Sequence, residues 1–528
     1  MPLFIKIALI VLFFAATIYI GFYCRKKAAN SNDFILGGRN VGPWLSAFAY
    51  GTSYFSAVIF IGYAGSFGWK FGVSALWIGI GNALIGSLLA WVVLGRRTRL
   101  ITQKLESSTM PDYFGKRFDS KPLKIFASVI VFIFLIPYTA ALYNGLSSLF
   151  SIAFGFDQYW VWILIISIIT GIYVIIGGLM STAVNSFIQG IIMLVGIGLV
   201  VFFALNKNGG LMSSLEQLSM HGWGYSSMFG TDPIHLLFVV ILTSLGTWGL
   251  PQMVSKFYSI KNEAQIKKGS IISTLFALIV AGGCYFIGGF GRLFVDSVNG
   301  KPVGGSNSII PIMVTGLIDN QILNALLVGL VIVLVLAASM STLSSLVMTS
   351  ATTVVIDLME TYKPIQEKKK MRLLKIFTVV FIIVSAGLAV FQVYGPKNLT
   401  SDIASLMGIS WGAIAGAFLG PFLYGLYWKK TTKASVWASF IGGVLIAVVS
   451  LIFKYAGFNE GHGFIGVFLS DSIYMGVVAM VYSLIIVPVV SLFTKNMESE
   501  KVDDMFNCFT EMVTVPASDA LSSSNKTE

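Results

Sequence analysis

Ala49-Tyr50-Gly51-Thr52-Ser53-Tyr54-Phe55-Ser56 is a small, polar stretch inside an otherwise apolar segment, residues 44–67. Glycine tolerates a helix break, and in a membrane the backbone groups that a break frees must be met by protein, water or an ion. Five apolar segments later, Thr243-Ser244-Leu245-Gly246-Thr247-Trp248-Gly249-Leu250-Pro251 interrupts residues 233–255 in the same way. Paired Gly/Pro-interrupted segments at matching places in two halves point to an inverted-repeat transporter. The plainer alternative is that Gly, Ser and Thr merely permit close helix packing. The matching five-segment offset favours the functional reading.

Composition sets the surroundings of these two breaks. The chain is 56% hydrophobic and only 11% charged, with a mean hydropathy of +0.84. A soluble domain of 528 residues needs a larger polar surface than this. Apolar runs long enough to cross about 30 Å of hydrocarbon as helices recur from the first residues to Phe493. They do not alternate in polarity as barrel strands would. The expected fold is therefore an all-α polytopic membrane protein of about thirteen transmembrane helices. The spans are 4–24, 44–67, 73–95, 125–151, 159–178, 184–206, 233–255, 270–290, 323–357, 373–394, 402–427, 434–455 and 472–493.

The formal net charge of +12 is distributed in a way that speaks against nucleic acid. With the amino terminus outside, about 28 of the 35 Lys and Arg residues fall on cytoplasmic segments. They cluster at 25–27, 96–124, 256–268, 363–375, 429–433 and the tail. This positive-inside pattern implies an integral protein, most naturally of the plasma membrane, with its carboxyl terminus in the cytoplasm. The first span has its positive charges after the apolar run and no small-x-small cleavage site, unlike a signal peptide. Cys24, Cys284 and Cys508 suggest neither a disulfide framework nor a metal cluster. His221, His235 and His462 lack metal-ligand spacing. Residues 494–528 read as a polar, disordered cytoplasmic tail. The expected partners are a small organic solute and membrane lipid, with no nucleic acid, no obligate protein partner and no enzymatic chemistry.

The ninth span holds the most polar point of any apolar run, Ala337-Ala338-Ser339-Met340-Ser341-Thr342-Leu343-Ser344-Ser345. At about 100° per residue, Ala338, Ser341, Thr342 and Ser345 share one face. Hydroxyls in such a row can coordinate a small hard cation. They can equally bond the carbonyls of their own helix four residues back. No Asp, Glu, Lys or Arg falls near the middle of any span; Lys6, Lys256, Arg292, Asp357 and Asp402 stand at or near ends. A proton relay through carboxylates is thus not expected, and a coupling cation would be held by neutral oxygens, which suits sodium.

These residues resemble the sodium/solute symporter family. The resemblance is carried by Asn32-Asp33-Phe34-Ile35-Leu36-Gly37-Gly38-Arg39, Pro111-Asp112-Tyr113-Phe114 with Lys116-Arg117-Phe118, Gly177-Gly178, Gly249-Leu250-Pro251 and, most specifically, residues 337–344. It runs through nearly the whole chain and is nearest to bacterial sodium/proline and sodium/pantothenate symporters. It implies the leucine-transporter (LeuT) type of fold, with five-helix inverted repeats at residues 44–206 and 233–427. An extra helix (1–24) would precede the repeats, and two helices (434–493) would follow them. It also implies a sodium site made by backbone carbonyls of Thr52, Phe55 and Ala338 with the hydroxyls of Ser341 and Thr342. Some members bind a second sodium through an Asp after the fifth span, where this chain has Ser186. Ser344 and Ser345 remain, but a neutral site holds a second cation poorly, so one sodium per cycle is expected.

The solute is less legible. In sodium/proline carriers an Asp follows the break of span two, where Tyr54 stands here, and their aromatic substrate residues match Thr243 and Thr247. The Arg of sialic acid carriers is absent from span four. Tyr54, Ser56, Asn82, Tyr138, Thr247, Trp248, Gln252 and Trp411 are the candidate lining of a midplane solute pocket, each with core packing as its alternative role. A pantothenate-, proline- or other carboxylate-like solute is expected. A sugar symporter, or a sodium-independent or proton-coupled carrier on the same fold, is the rival.

Overall fold

The computed structural model describes residues 2–24, 39, 41–396, 403–458 and 462–510. Residues 25–38 of the basic cluster and opening signature, Lys397, Asp402 and residues 511–528 lie outside the described residues. Apolar runs become helices, and their ends are set by local chemistry. Proline occupies the first turn at Pro43, Pro111, Pro233 and Pro251, where its missing N–H costs nothing. Side chains of Asp232, Asn262, Asn320 and Asp471 cap free N–H groups of the helices that follow.

By length and composition, ten described helices can cross a membrane, or eleven counting the bent pair Pro233–Gly249 and Pro251–Tyr258. That is fewer than the thirteen expected, and the shortfall lies at two places where the chain reverses almost without a break. The stretch Val58–Lys104 is nearly continuous helix, yet it turns at Gly72, whose φ of 65° and ψ of −143° suit only glycine. On either side of that turn the chain packs along one helix, Glu263–Gly289. Gly51 lies against Phe276 and Gly68 against Gly288, while Gly79 lies against Gly282 and Gly95 against Ile266, so the two arms are antiparallel. Similarly, Thr170 and Ser186 touch the adjacent residues Met340 and Ser341, although a straight helix would separate them by roughly 24 Å.

The helix Ile403–Tyr427 is the centre of the bundle, with 94% of its apolar window buried; Pro2–Tyr23, at 11%, lies on the rim. The expected disorder of the tail is corrected over its first part. Ser499–Asn507 is a helix with Val502 and Phe506 buried. Asp503 and Asp504 on its outer face pair with Lys429 and Lys104. Its amphipathic spacing was hidden by a polar average composition.

Candidate functional site

The helix Pro43–Tyr54 ends because Phe55 is extended (φ −92°, ψ 134°). Helix resumes as a π-helical turn from Val58 to Tyr63, so carbonyls around the break lose their usual partners. Facing them is the helix Gln321–Thr352. Thr342 Oγ1 lies 2.9 Å from the Phe55 carbonyl oxygen, 3.2 Å from that of Ser53 and 3.4 Å from that of Thr52. The carbonyl oxygen of Ala338, one turn back, is 3.2 Å away. A hydroxyl has one proton and cannot serve four acceptors. Lone pairs of neutral oxygens therefore converge here, in a buried place, with too few donors. Such a cluster has the donor chemistry of a site for a small hard cation.

Ser341 extends the cluster. Thr52 Oγ1 donates to the Phe48 carbonyl (2.7 Å), so Ser341 Oγ donates to Thr52 (2.8 Å) and accepts from Ser186 Oγ (2.8 Å). Ser339 Oγ accepts the N–H of Ala57, the second residue past the break. Thr52, Phe55, Ala338, Ser341 and Thr342 are thus brought together, and all are buried. Thr342 and Ser345 also reach carbonyls four residues back, as the packing alternative for the serine-rich run expects.

Three residues that were not among the expected ligands join this cluster. Ser53 adds a carbonyl to the cluster and sets its hydroxyl 3.1 Å from Ser345 Oγ. Ser186, singled out for lacking a charge, belongs to the hydroxyl chain. Lys256 stands near the end of its span, but its Nζ reaches inward to Ser345 Oγ at 2.9 Å. Only the reach of a long side chain across a helix pair, which sequence spacing does not encode, places it there.

The second break matches the first in form. A 3₁₀ turn, Gly246–Gly249, leads to extended Leu250 (φ −88°, ψ 119°), and the helix restarts at Pro251. Around it lie most of the expected solute residues. Trp411 packs against Tyr54 and Tyr138, with ring centroids 6.1 and 5.8 Å apart. Tyr138 lies beside Ser56, and the Tyr54 hydroxyl donates to the Thr243 carbonyl. Thr243 and Ser244 hydroxyls donate to Asn82 Oδ1. Trp248 Nε1 and Thr247 Oγ1 meet the carbonyls of Ile85 and Gly86, on the π-helical turn Asn82–Leu89. Gln252 is buried on the next helix, apart from these contacts. Ser56 Oγ, Asn82 Nδ2, Gln252 Oε1 and Trp411 Nε1 are buried and make no hydrogen bond of good geometry among the described residues, although Tyr138 lies close to Ser56 and Trp411, and Tyr285 to Asn82. Each such group costs about 1–3 kcal/mol if left unmet.

Charged networks brace the two ends of the bundle. At one end, Lys124 joins Asp112 (2.8 Å) and Asp357 (3.7 Å), and Thr109 donates to Asp357. Arg39 donates to the carbonyls of Thr102, Ser107 and Tyr258; burial, with Arg99 nearby, pulls its guanidinium down to about 10. At the other end, Lys70 pairs with Asp232 (3.2 Å) and His235 with Asp471 (3.5 Å). Burial alone would raise the Asp471 carboxyl, but His235 and the N–H groups of Ile473 and Tyr474 outweigh it and lower it.

Among solved structures, a Na+-coupled sialic acid symporter in a substrate-bound outward-open state superposes with a TM-score of 0.71 at 17% identity, over 94% of this chain and 99% of that one. Mhp1, a nucleobase-cation-symport-1 family transporter, gives 0.51 at 16%, covering 90% and 98%. MhsT in complex with L-phenylalanine gives 0.51 at 13%, covering 88% and 98%. The fold is therefore that of the LeuT-type transporters. The model of the sodium:solute symporter family matches residues 34–443, and the chain belongs to that family. Among its relatives are sodium/proline symporter 2 of Staphylococcus saprophyticus, 28% identical over 86% of this chain and 88% of the relative, and the sodium/proline symporter of Staphylococcus aureus, 28% identical over 92% of each. It is a multi-pass membrane transporter, and sodium is its co-transported ion.

Proposed function

We propose that the protein imports a small carboxylate-bearing solute, proline- or pantothenate-like, with one sodium per cycle by alternating access, and performs no enzymatic chemistry. The observation that carries the ion site is the Thr342 hydroxyl set among four carbonyl oxygens. In this reading sodium takes the carbonyls of Thr52, Phe55 and Ala338 with the hydroxyls of Ser341 and Thr342. It supplies the positive charge that these oxygens lack and closes the break in the second span. The solute docks beside it against Tyr54, Ser56, Asn82, Tyr138, Thr247, Trp248 and Trp411, with Gln252 one helix away. The unmet polar atoms of Ser56, Asn82, Gln252 and Trp411 are the groups a solute would satisfy.

Residues 44–206 and 233–427 act as the two repeats, and rocking of one against the other exposes the site to each side in turn. The amino terminus lies outside the plasma membrane and the carboxyl terminus in the cytoplasm. One charge falling through 100 mV supplies about 2.3 kcal/mol, and a tenfold sodium gradient about 1.4. Together they support roughly 500-fold accumulation of a solute with no net charge, such as a zwitterion; an anion carried with one sodium moves no net charge and draws on the roughly tenfold gradient alone.

The test is uptake of a panel of labelled amino acids, pantothenate and sugars into proteoliposomes, with and without an inward sodium gradient. One carboxylate solute should accumulate only with sodium, and Ser341→Ala/Thr342→Ala should abolish that dependence. Uptake indifferent to sodium in the wild type, or unchanged dependence in the double variant, would sink the assignment.

A further inference from the structure

Beside the sodium cage lies a second group of neutral oxygens, one residue along the broken span (Ser53) and one turn along the ninth (Ser345). Ser345 Oγ donates to the Ser341 carbonyl at 3.0 Å. Its lone pairs are left to Ser53 Oγ at 3.1 Å and to Lys256 Nζ at 2.9 Å. Lys256 is only 6% exposed, and no carboxylate pairs with it among the described residues. Lys256 lines a cavity together with Ser255, Ser345, Thr349 and Thr352. Burying an ammonium without a counter-charge is costly. The Ser345 hydroxyl oxygen is what meets the ammonium here, as it would a free metal cation.

We infer that Lys256 is a tethered cation seated on Ser345, which fills the oxygen cluster next to the cage, excludes a second sodium from it and weakens the binding of the first. This rests on the reading of Thr52, Phe55, Ala338, Ser341 and Thr342 as a sodium site, and it adds a residue that sets ion number and ion affinity. The second arm of the broken seventh span, Pro251–Tyr258, carries the lysine. The charge is therefore delivered by the element that also borders the solute residues Thr247 and Trp248. Any two like charges within about 10 Å of each other in a medium of effective dielectric about 20 repel enough to change affinity by about an order of magnitude.

The experiment is equilibrium binding of radiolabelled sodium to the purified full-length chain, its folding checked by size-exclusion profile and thermal melting. Wild type and Lys256→Arg should each bind one sodium with similar affinity. Lys256→Met should bind sodium about tenfold more tightly or better, and so should Lys256→Gln, which keeps a donor for Ser345 and carries the test if the methionine variant does not fold. A merely structural lysine would weaken sodium binding or leave it alone when lost, not strengthen it. Unchanged or weaker affinity in the folded neutral variants overturns the inference while leaving the cage intact. Two sodium ions bound to the wild type overturn it as well. Absence of saturable sodium binding in the wild type overturns the cage itself.

Discussion

At the scale of single residues, the cluster is built on hydroxyls that have more acceptors than protons. Thr342→Val keeps the shape of the side chain and removes the oxygen. It should weaken sodium binding by about 10-fold to 100-fold, the worth of one to two good interactions with a charged group. Thr342→Ser should stay within a fewfold of wild type, and radiolabelled sodium binding distinguishes the two. Asn82→Ala, which removes a buried amide with an unmet nitrogen, should raise the KM for solute while leaving sodium affinity unchanged, as read from initial uptake rates at saturating sodium. Helical spacing alone puts Ser341 and Thr342 on one face, whereas Thr52 and Phe55, inside the visible interruption, were singled out only through the family resemblance. Lys256 and Ser53 were expected by neither route: their partner, Ser345, lies across the bundle, and only the fold says which helices meet.

At the scale of elements, two close contacts fasten helices to one another. Gly68 and Gly288 pack backbone to backbone, and a Cβ at Gly68 would overlap the Gly288 main chain. Gly68→Ala should cost about 1–3 kcal/mol through overpacking, seen as a lower melting temperature of purified protein. Asp471 is the other fastening. Its carboxylate accepts from the N–H groups of Ile473 (2.7 Å) and Tyr474 (3.4 Å) and pairs with His235. Asp471→Ala should cost about 1 kcal/mol as a lost cap. Its carboxyl is lowered from the ordinary 3.8, so its contribution is present above that pH and is lost as pH falls through the lower folded value. A thermal-melting series from pH 6 to pH 3 should therefore show wild type and Asp471→Ala converging at the acid end. Both helix breaks could be read from Gly, Ser and Pro in apolar runs. The reversals at Gly72 and between Thr170 and Ser186 left almost no gap in the helix, and the helix Ser499–Asn507 was masked by its charge.

At the scale of the whole molecule, the central helix Ile403–Tyr427 and the antiparallel arms packed on Glu263–Gly289 bring residues nearly 300 positions apart into one cage. Composition sufficed for a helical membrane bundle, and the family resemblance for the LeuT-type fold. The solute stayed out of reach because its proposed lining is drawn from spans two, three, four, seven and eleven and consists of neutral side chains, none of them diagnostic of one solute. The most direct test of the central claim is the saturation of radiolabelled sodium on the purified wild-type chain beside Ser341→Ala/Thr342→Ala. One saturable sodium in the wild type, lost in the double variant, is the predicted result; equal sodium binding in the two proteins would contradict it.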